Sequence, residues 1–323
     1  MVKIAKPIVI GSVIGTGFAG ALMIKDHFGG KKYEENTEAD GKVVVITGAN
    51  TGIGRETALE LAKRKAKVVM ACRDIKKCEK AREDIVLQSK NKYVYCRTCD
   101  LASQSSIRKF AERFKTEHKG LDVLINNAGV MRCPLSKTEE GIEMQLGVNH
   151  MGHFLLTNLL LDRLKKNAPS RIVNVSSTAH KRGKINKEDL NSEKKYDGGE
   201  AYNQSKLANL LFTRELAKKL EGTGVTVNAV HPGIVDTELT RHMSFFNSYL
   251  AAVIIKPFMW MFIKTPRQGA QTVLYASLSP DLEKVSGKYF SDCREAEVSI
   301  EAQDDTTARW LWLVSEKWTK LAG

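Results

Sequence analysis

The sequence predicts an α/β chain built on a doubly wound parallel sheet, the Rossmann fold, preceded by an amino-terminal hydrophobic anchor helix. Three observations carry that expectation. Short, apolar, β-branched runs alternate with helical patterns from Lys42 to Val230, the rhythm of a parallel sheet covered on both faces. Glycine-rich or polar motifs follow the ends of these runs, where ligands settle in open α/β sheets. A charge-free stretch, Pro7–Ile24, stands ahead of them.

That stretch is bracketed by Lys3 and Lys6 on one side and Lys25 on the other. Its length is at the lower edge of what crosses a bilayer, where about 20 residues are usual. A cleaved signal peptide competes with this reading. Against it, the sequons at Asn174 and Asn203 fall among the expected site residues, and the cysteines do not space as a disulfide framework. Residues 1–30 are therefore expected to be an uncleaved membrane anchor, tilted or shallow because of Gly11, Gly15, Gly17 and Gly20. With 323 residues and 42% hydrophobic content, the rest suffices for one sizeable core, a single catalytic domain over 40–323.

The first strand, Lys42–Thr47, runs into Gly48-Ala49-Asn50-Thr51-Gly52-Ile53-Gly54 and then a helical pattern over Arg55–Lys65. Strand, glycine turn and helix together make a dinucleotide site, because the helix start offers unpaired N–H groups to phosphates. Gly48 suits the tight turn, Gly52 the approach of a pyrophosphate, and Gly54 the packing of helix on strand. The second strand, Lys67–Ala71, leads to Cys72-Arg73-Asp74. NAD sites place an acid at the end of this strand, whereas an arginine accommodates the 2′-phosphate of NADP. Cys72 holds the acid position and Arg73 follows, while Asp74 suits the N-cap of a helix over Ile75–Lys90. NADP(H) is the expected cofactor.

Asp100 and Leu101 follow the strand Tyr93–Thr98, and Asn127-Ala128-Gly129 end the strand Leu121–Asn126. Asn149 lies in GVNHMGHFLL. Ser176-Ser177 follow Arg171–Val175, and His231-Pro232-Gly233 follow Thr226–Val230. Between them, AYNQSKLANLLFTREL sets Tyr202 and Lys206 one helical turn apart. Such positions share a face, so the ammonium is expected to pull the phenol down from its usual value near ~10, as a general acid/base requires.

The set TGANTGIG, NNAG, NVSS and YNQSK resembles the short-chain dehydrogenase/reductase superfamily, from Gly41 to about Phe290. The resemblance implies Tyr202 as catalytic acid/base, and Lys206 as the residue that lowers its pKa and holds the nicotinamide ribose. It implies Ser177 as the group that orients the substrate carbonyl, with Ser176 as its structural neighbour. Asn149 is implied as the asparagine whose carbonyl holds a relay water to Lys206, and Asp100 as the adenine-contacting acid. Gly48, Asn50, Thr51, Gly52, Ile53, Gly54, Arg73, Leu101, Asn127, Ala128, Gly129, Pro232 and Gly233 complete the cofactor set. The phrases ITGANTGIGRETALELA, ACRD, NNAGVMRCP and SKLANLLFTREL look like the retinol dehydrogenase branch, in its eleven-to-fourteen group. LMIKDHFGG and GKYF look nearest the thirteen type. The branch implies interconversion of retinal and retinol, or of another apolar aldehyde and alcohol, in an intracellular membrane: mitochondrial inner membrane or endoplasmic reticulum. A homodimer is compatible with it.

Residues 236–265 contain the apolar run Arg241–Lys264, expected to cover the substrate and to touch the bilayer surface. The formal charge of +13 is scattered, without a nucleic-acid recognition motif, so nucleic-acid binding is disfavoured. Cys96 and Cys99 are expected on opposite faces of a strand, and all six cysteines as free thiols; His150 and His153 are expected to pack or to hydrogen-bond near the cofactor. No metal site is expected. Two other functions use related machinery or none: a membrane-bound carbonyl reductase of lipid aldehydes or steroids, and a nucleotide-dependent membrane scaffold with incidental catalysis. A sugar-nucleotide epimerase fits less well, because the glycine spacing is G-x-x-x-G-x-G. For Ser291–Gly323, a helical pattern with Trp310, Trp312 and Trp318, the sequence leaves packing, dimer contact and membrane surface open.

Overall fold

The computed structural model describes Met23, Lys25 and residues 29–33, 37–235, 237 and 263–321. The anchor stretch Pro7–Ile24 except Met23, and all of the expected cover except Thr237 and residues 263–265, lie outside the described residues. Among the described residues, no helix is long and apolar enough to cross a membrane.

Six strands fall where the sequence expects them: β1 (Val43–Thr47), β2 (Lys67–Cys72), β3 (Val94–Thr98), β4 (Val123–Asn126), β5 (Ser170–Val175) and β6 (Val225–His231). Two short ones, β7 (Tyr289–Ser291) and β8 (Arg294–Glu295), extend the sheet to the order β3-β2-β1-β4-β5-β6-β7-β8. All neighbours pair in parallel except β7 with β8. The strand order reverses direction between β1 and β4, which opens a crevice at their carboxyl ends.

Period-two alternation builds a core on each face. Val44 and Ile46 of β1 pack beneath α1 (Gly52–Lys63) and α2 (Ile75–Ser89), with Ala58, Leu61 and Ile85. Val45 faces the other way, into a cluster with Phe110 and Phe114 of α3 (Gln104–Glu117), Phe154 of α4 (Gly152–Lys166) and Phe212 of α5 (Gly198–Lys219). A further helix, α6 (Pro266–Leu278), joins the first face through Val273 and Leu274.

Part of the carboxyl-terminal pattern packs on the core. Ser291 belongs to β7, and the helix α7 begins only at Asp305 and ends at Trp318. Its Trp312 is buried against Phe154 and Phe212, with ring centroids 4.8 and 5.9 Å away, and its Ser315 Oγ lies 2.9 Å from His150 Nε2. This helix therefore braces α5, which carries Tyr202 and Lys206.

One expectation about the cysteines is corrected. Cys78 of α2 and Cys96 of β3 form a disulfide, because α2 packs over β3 and brings their Cα atoms to 5.9 Å. Cys72, Cys99, Cys133 and Cys293 are free and buried. Cys96 and Cys99 do belong to cores on opposite faces of the sheet.

Candidate active site

The loops after β1, β2, β3 and β4 enclose a cleft of about 310 Å³. Gly48, Asn50, Thr51, Gly52, Ile53 and Gly54 line one wall, with Arg73, Asp100, Leu101, Asn127, Ala128 and Gly129 around them. The glycine loop is as tight as the sequence requires. Gly48 sits at φ +65°, and a Cβ on Gly54 would lie 2.5 Å from the Gly48 carbonyl oxygen, closer than any side chain tolerates.

Helix starts distinguish this loop. Asp74, Ser103, Asp197, Thr265 and Asp304 each cap a helix with a side-chain oxygen. Thr51, at the start of α1, makes no such bond, and the first turn of α1 carries no acid. Its N–H groups are thus left for a ligand, and the macrodipole favours an anionic one. Uncapped donors, a glycine cradle and the guanidinium of Arg73 at the rim fit the phosphates of a dinucleotide.

Beneath the cleft, the Thr47 hydroxyl accepts from the backbone N–H of Asn127 (2.9 Å) and Ala128 (3.0 Å). It also bonds His153 Nε2 at 2.8 Å, while His153 Nδ1 lies 3.0 Å from the Asn149 carbonyl. Both histidines therefore act as buried hydrogen-bonding partners, and burial holds them neutral, His150 down to about 3 and His153 to about 4. Thr47, Lys77, Val130, Val148 and Thr237 were not singled out in the sequence, yet Thr47 supports the loop after β4 and the others line the cleft. Only Lys77 carried a signal, its i, i+4 spacing from Arg73 across a helix start.

Asn149, Ser177, Tyr202 and Lys206 lie next to this cleft rather than on its lining. Asn149 occupies a buried π-helical turn, Gly147–Met151, that runs into α4. Its amide clamps Val130, accepting from the N–H (2.8 Å) and donating to the carbonyl (3.0 Å), and it donates to Ser205 Oγ at 2.9 Å. A Cβ on Gly129 would lie 3.7 Å from Lys206 Nζ, so the loop after β4 joins the cleft to the lysine. Lys206 Nζ donates to the Val175 carbonyl (3.1 Å), and Ser176 Oγ donates to the Lys206 carbonyl (2.8 Å). These bonds pin α5 to the end of β5 and make Ser176 the structural partner.

Ser177 acts on the Tyr202 phenol by favouring its ionised form, and Lys206 Nζ stands 5.6 Å from the Tyr202 ring centroid. The helical spacing thus delivers the convergence the sequence suggested. The electrostatics differ from the sequence expectation. Burial pushes the Tyr202 phenol up to about 12, with Ser177 pulling the other way, and burial pushes Lys206 down to about 8. Desolvation disfavours both phenolate and ammonium, so the phenol is held protonated. Pro232 and Gly233 follow β6 but do not line the cleft; the aliphatic stem of Lys264 lies against Gly233. Among the described residues, no cluster of three His, Cys, Asp or Glu side chains forms a metal site.

Comparison with known proteins agrees with this geometry. The family model described as short chain dehydrogenase matches residues 42–245. Retinol dehydrogenase 12 of Homo sapiens is 57% identical over 91% of this chain and 92% of its own length. Retinol dehydrogenase 13 of Mus musculus is 52% identical over 96% of this chain and 93% of its own. Among solved structures, an uncharacterized protein from Mycobacterium paratuberculosis superposes with a TM-score of 0.73 at 38% identity, over 90% of this chain and 98% of its own. A protein of Beutenbergia cavernae described as a putative NAD(P)-dependent gluconate 5-dehydrogenase, with NADP bound at low occupancy, superposes with a TM-score of 0.64 at 25% identity, over 79% of this chain and 96% of its own.

Proposed function

We propose that this chain, which belongs to the short chain dehydrogenase family, is an NADP(H)-dependent oxidoreductase that interconverts retinal and retinol. The observation that carries the proposal is the buried Tyr202 with the Lys206 ammonium 5.6 Å from its ring, at the edge of a cleft with a glycine cradle. The retinoid assignment is supported by the similarity to retinol dehydrogenases over more than nine-tenths of the chain.

When bound, the nicotinamide supplies or accepts the hydride. Ser177 orients the carbonyl oxygen, and Tyr202, protonated because it is buried, donates its proton as charge develops on that oxygen. Lys206 then stabilises the phenolate that remains and returns the proton; with a pKa near 8 it is poised to do so close to neutral pH. Asn149 holds the Val130 backbone beside this group. In the reverse direction the same groups take the proton from the alcohol. Arg73 and the start of α1 hold the phosphates.

The domain plan belongs to the same proposal: residues 1–30 anchor the protein in a membrane of the mitochondrion or endoplasmic reticulum, and 236–265 cover an apolar substrate. In support, the Lys264 N–H donates to the Ile234 carbonyl at 2.7 Å, which brings the two ends of that cover together at the end of β6.

Turnover of retinal, nonenal and a ketosteroid by the full chain, each with NADPH and with NADH, tests the function. Retinal with NADPH is expected to give the highest kcat/KM. Preference for nonenal or the ketosteroid would replace retinoid with another lipid carbonyl, and equal use of NADH would remove the cofactor assignment.

A further inference from the structure

The strand-end acid typical of NAD sites is replaced here by a group that cannot compete for ribose hydroxyls. Cys72 is buried, its thiol pushed up to about 12 by burial, with the Ala49 and Asn50 backbone pulling the other way. The two carboxylates on the cleft wall are also engaged: Asp74 Oδ1 accepts from the Lys77 N–H at 3.1 Å, and Asp100 Oδ1 from the Ala102 N–H at 3.0 Å.

The cations on that wall are arranged differently. Helix α2 carries Lys76, Lys77, Lys80 and Arg82, of which Lys77 alone lines the cleft. Arg82 is paired with Glu79. Arg73 and Lys77 line the cleft together, four residues apart across the start of α2, and neither has an ion-pair partner among the described residues. Solvated lysines on outer helix faces need no explanation, but two unpaired cations converging on one cleft rim do. A dianion at that point would meet both of them, beside the Asp74 carboxylate that the Lys77 N–H holds at the helix start.

We propose that Lys77 is a second cofactor-specificity residue, sharing with Arg73 the 2′-phosphate that distinguishes NADPH from NADH. This rests on the NADP(H) reading above and adds to it a residue and a charge count. The guanidinium provides a planar, forked contact and the ammonium a mobile point charge, so the two reach different faces of one phosphate. Asp74, held by the Lys77 backbone, keeps its carboxylate at the helix start while the Lys77 side chain remains free for the ligand.

The test is a fluorescence titration of NADPH and of NADH into the full chain and its K77Q, K77R and R73Q variants, with thermal unfolding in parallel. A charge-assisted contact is worth about one decade in affinity. K77Q is expected to raise the NADPH Kd about tenfold and leave the NADH Kd unchanged, with K77R restoring most of the loss. If K77Q changes both coenzymes equally or neither, while R73Q still discriminates, the Lys77 assignment is overturned and the NADP(H) reading stands. If the unaltered chain binds NADH as tightly as NADPH and R73Q is indifferent, the reading itself fails and takes the inference with it.

Discussion

On the proposed function, the two ends of the site use positive charge in opposite ways. At the adenine end, Arg73 and Lys77 are exposed and stand in water. There a unit charge costs little to keep, and each contact with an anion is weak, about 1 kcal/mol at 4 Å in bulk water. Affinity at that end comes from number and convergence. At the catalytic end, Lys206 is only 3% exposed, and burial has already pulled it down to about 8. Its ammonium is costly to keep and strongly felt. In the proposed mechanism one end attracts a fixed anion and the other loses and regains a proton. The same side-chain class performs two jobs, and burial decides which.

Two perturbations sharpen that contrast. The larger is Lys206→Met, which keeps the buried stem and deletes the titrating group. Turnover with NADPH is expected to fall by about 10²- to 10⁴-fold, the usual share of acid–base assistance, read by the rate of NADPH oxidation. A fall of less than threefold would show that the buried cation is structural. The smaller is a pH profile of kcat/KM for NADPH, which reports the enzyme before the cofactor binds. Lys206 is charged below about 8 and neutral above it, whereas Tyr202 stays protonated until about 12. Carbonyl reduction is therefore expected to be level below pH 8 and to fall by about tenfold per unit above it. A profile level to pH 10 would separate catalysis from the charge on Lys206.

The two ends also differed in how far the sequence revealed them. The adenine end was legible because its determinants are local: strand, glycine turn and helix lie within Val43–Lys63, and Asp74 was identifiable as an N-cap from its position alone. Residue order at the catalytic end was legible too, since Tyr202 and Lys206 share one helix. Their protonation was not, because it depends on desolvation by elements distant in sequence. Trp312 and Ser315 of α7 pack on the same layer as α4 and α5 from more than a hundred residues away. The disulfide escaped for a similar reason, since Cys78 and Cys96 approach only after α2 folds onto β3. Strand β7 is three residues long, too short to show a period.

The most direct test of the proton-transfer assignment is single-turnover reduction of retinal by Tyr202→Phe, with NADPH affinity measured on the same preparation. Loss of the hydroxyl alone is expected to abolish NADPH oxidation while leaving the NADPH Kd within about twofold of the unaltered protein, because the phosphate contacts lie at the other end of the cleft. Retained oxidation by that variant, with its coenzyme still bound, would contradict the assignment of Tyr202 as the proton donor.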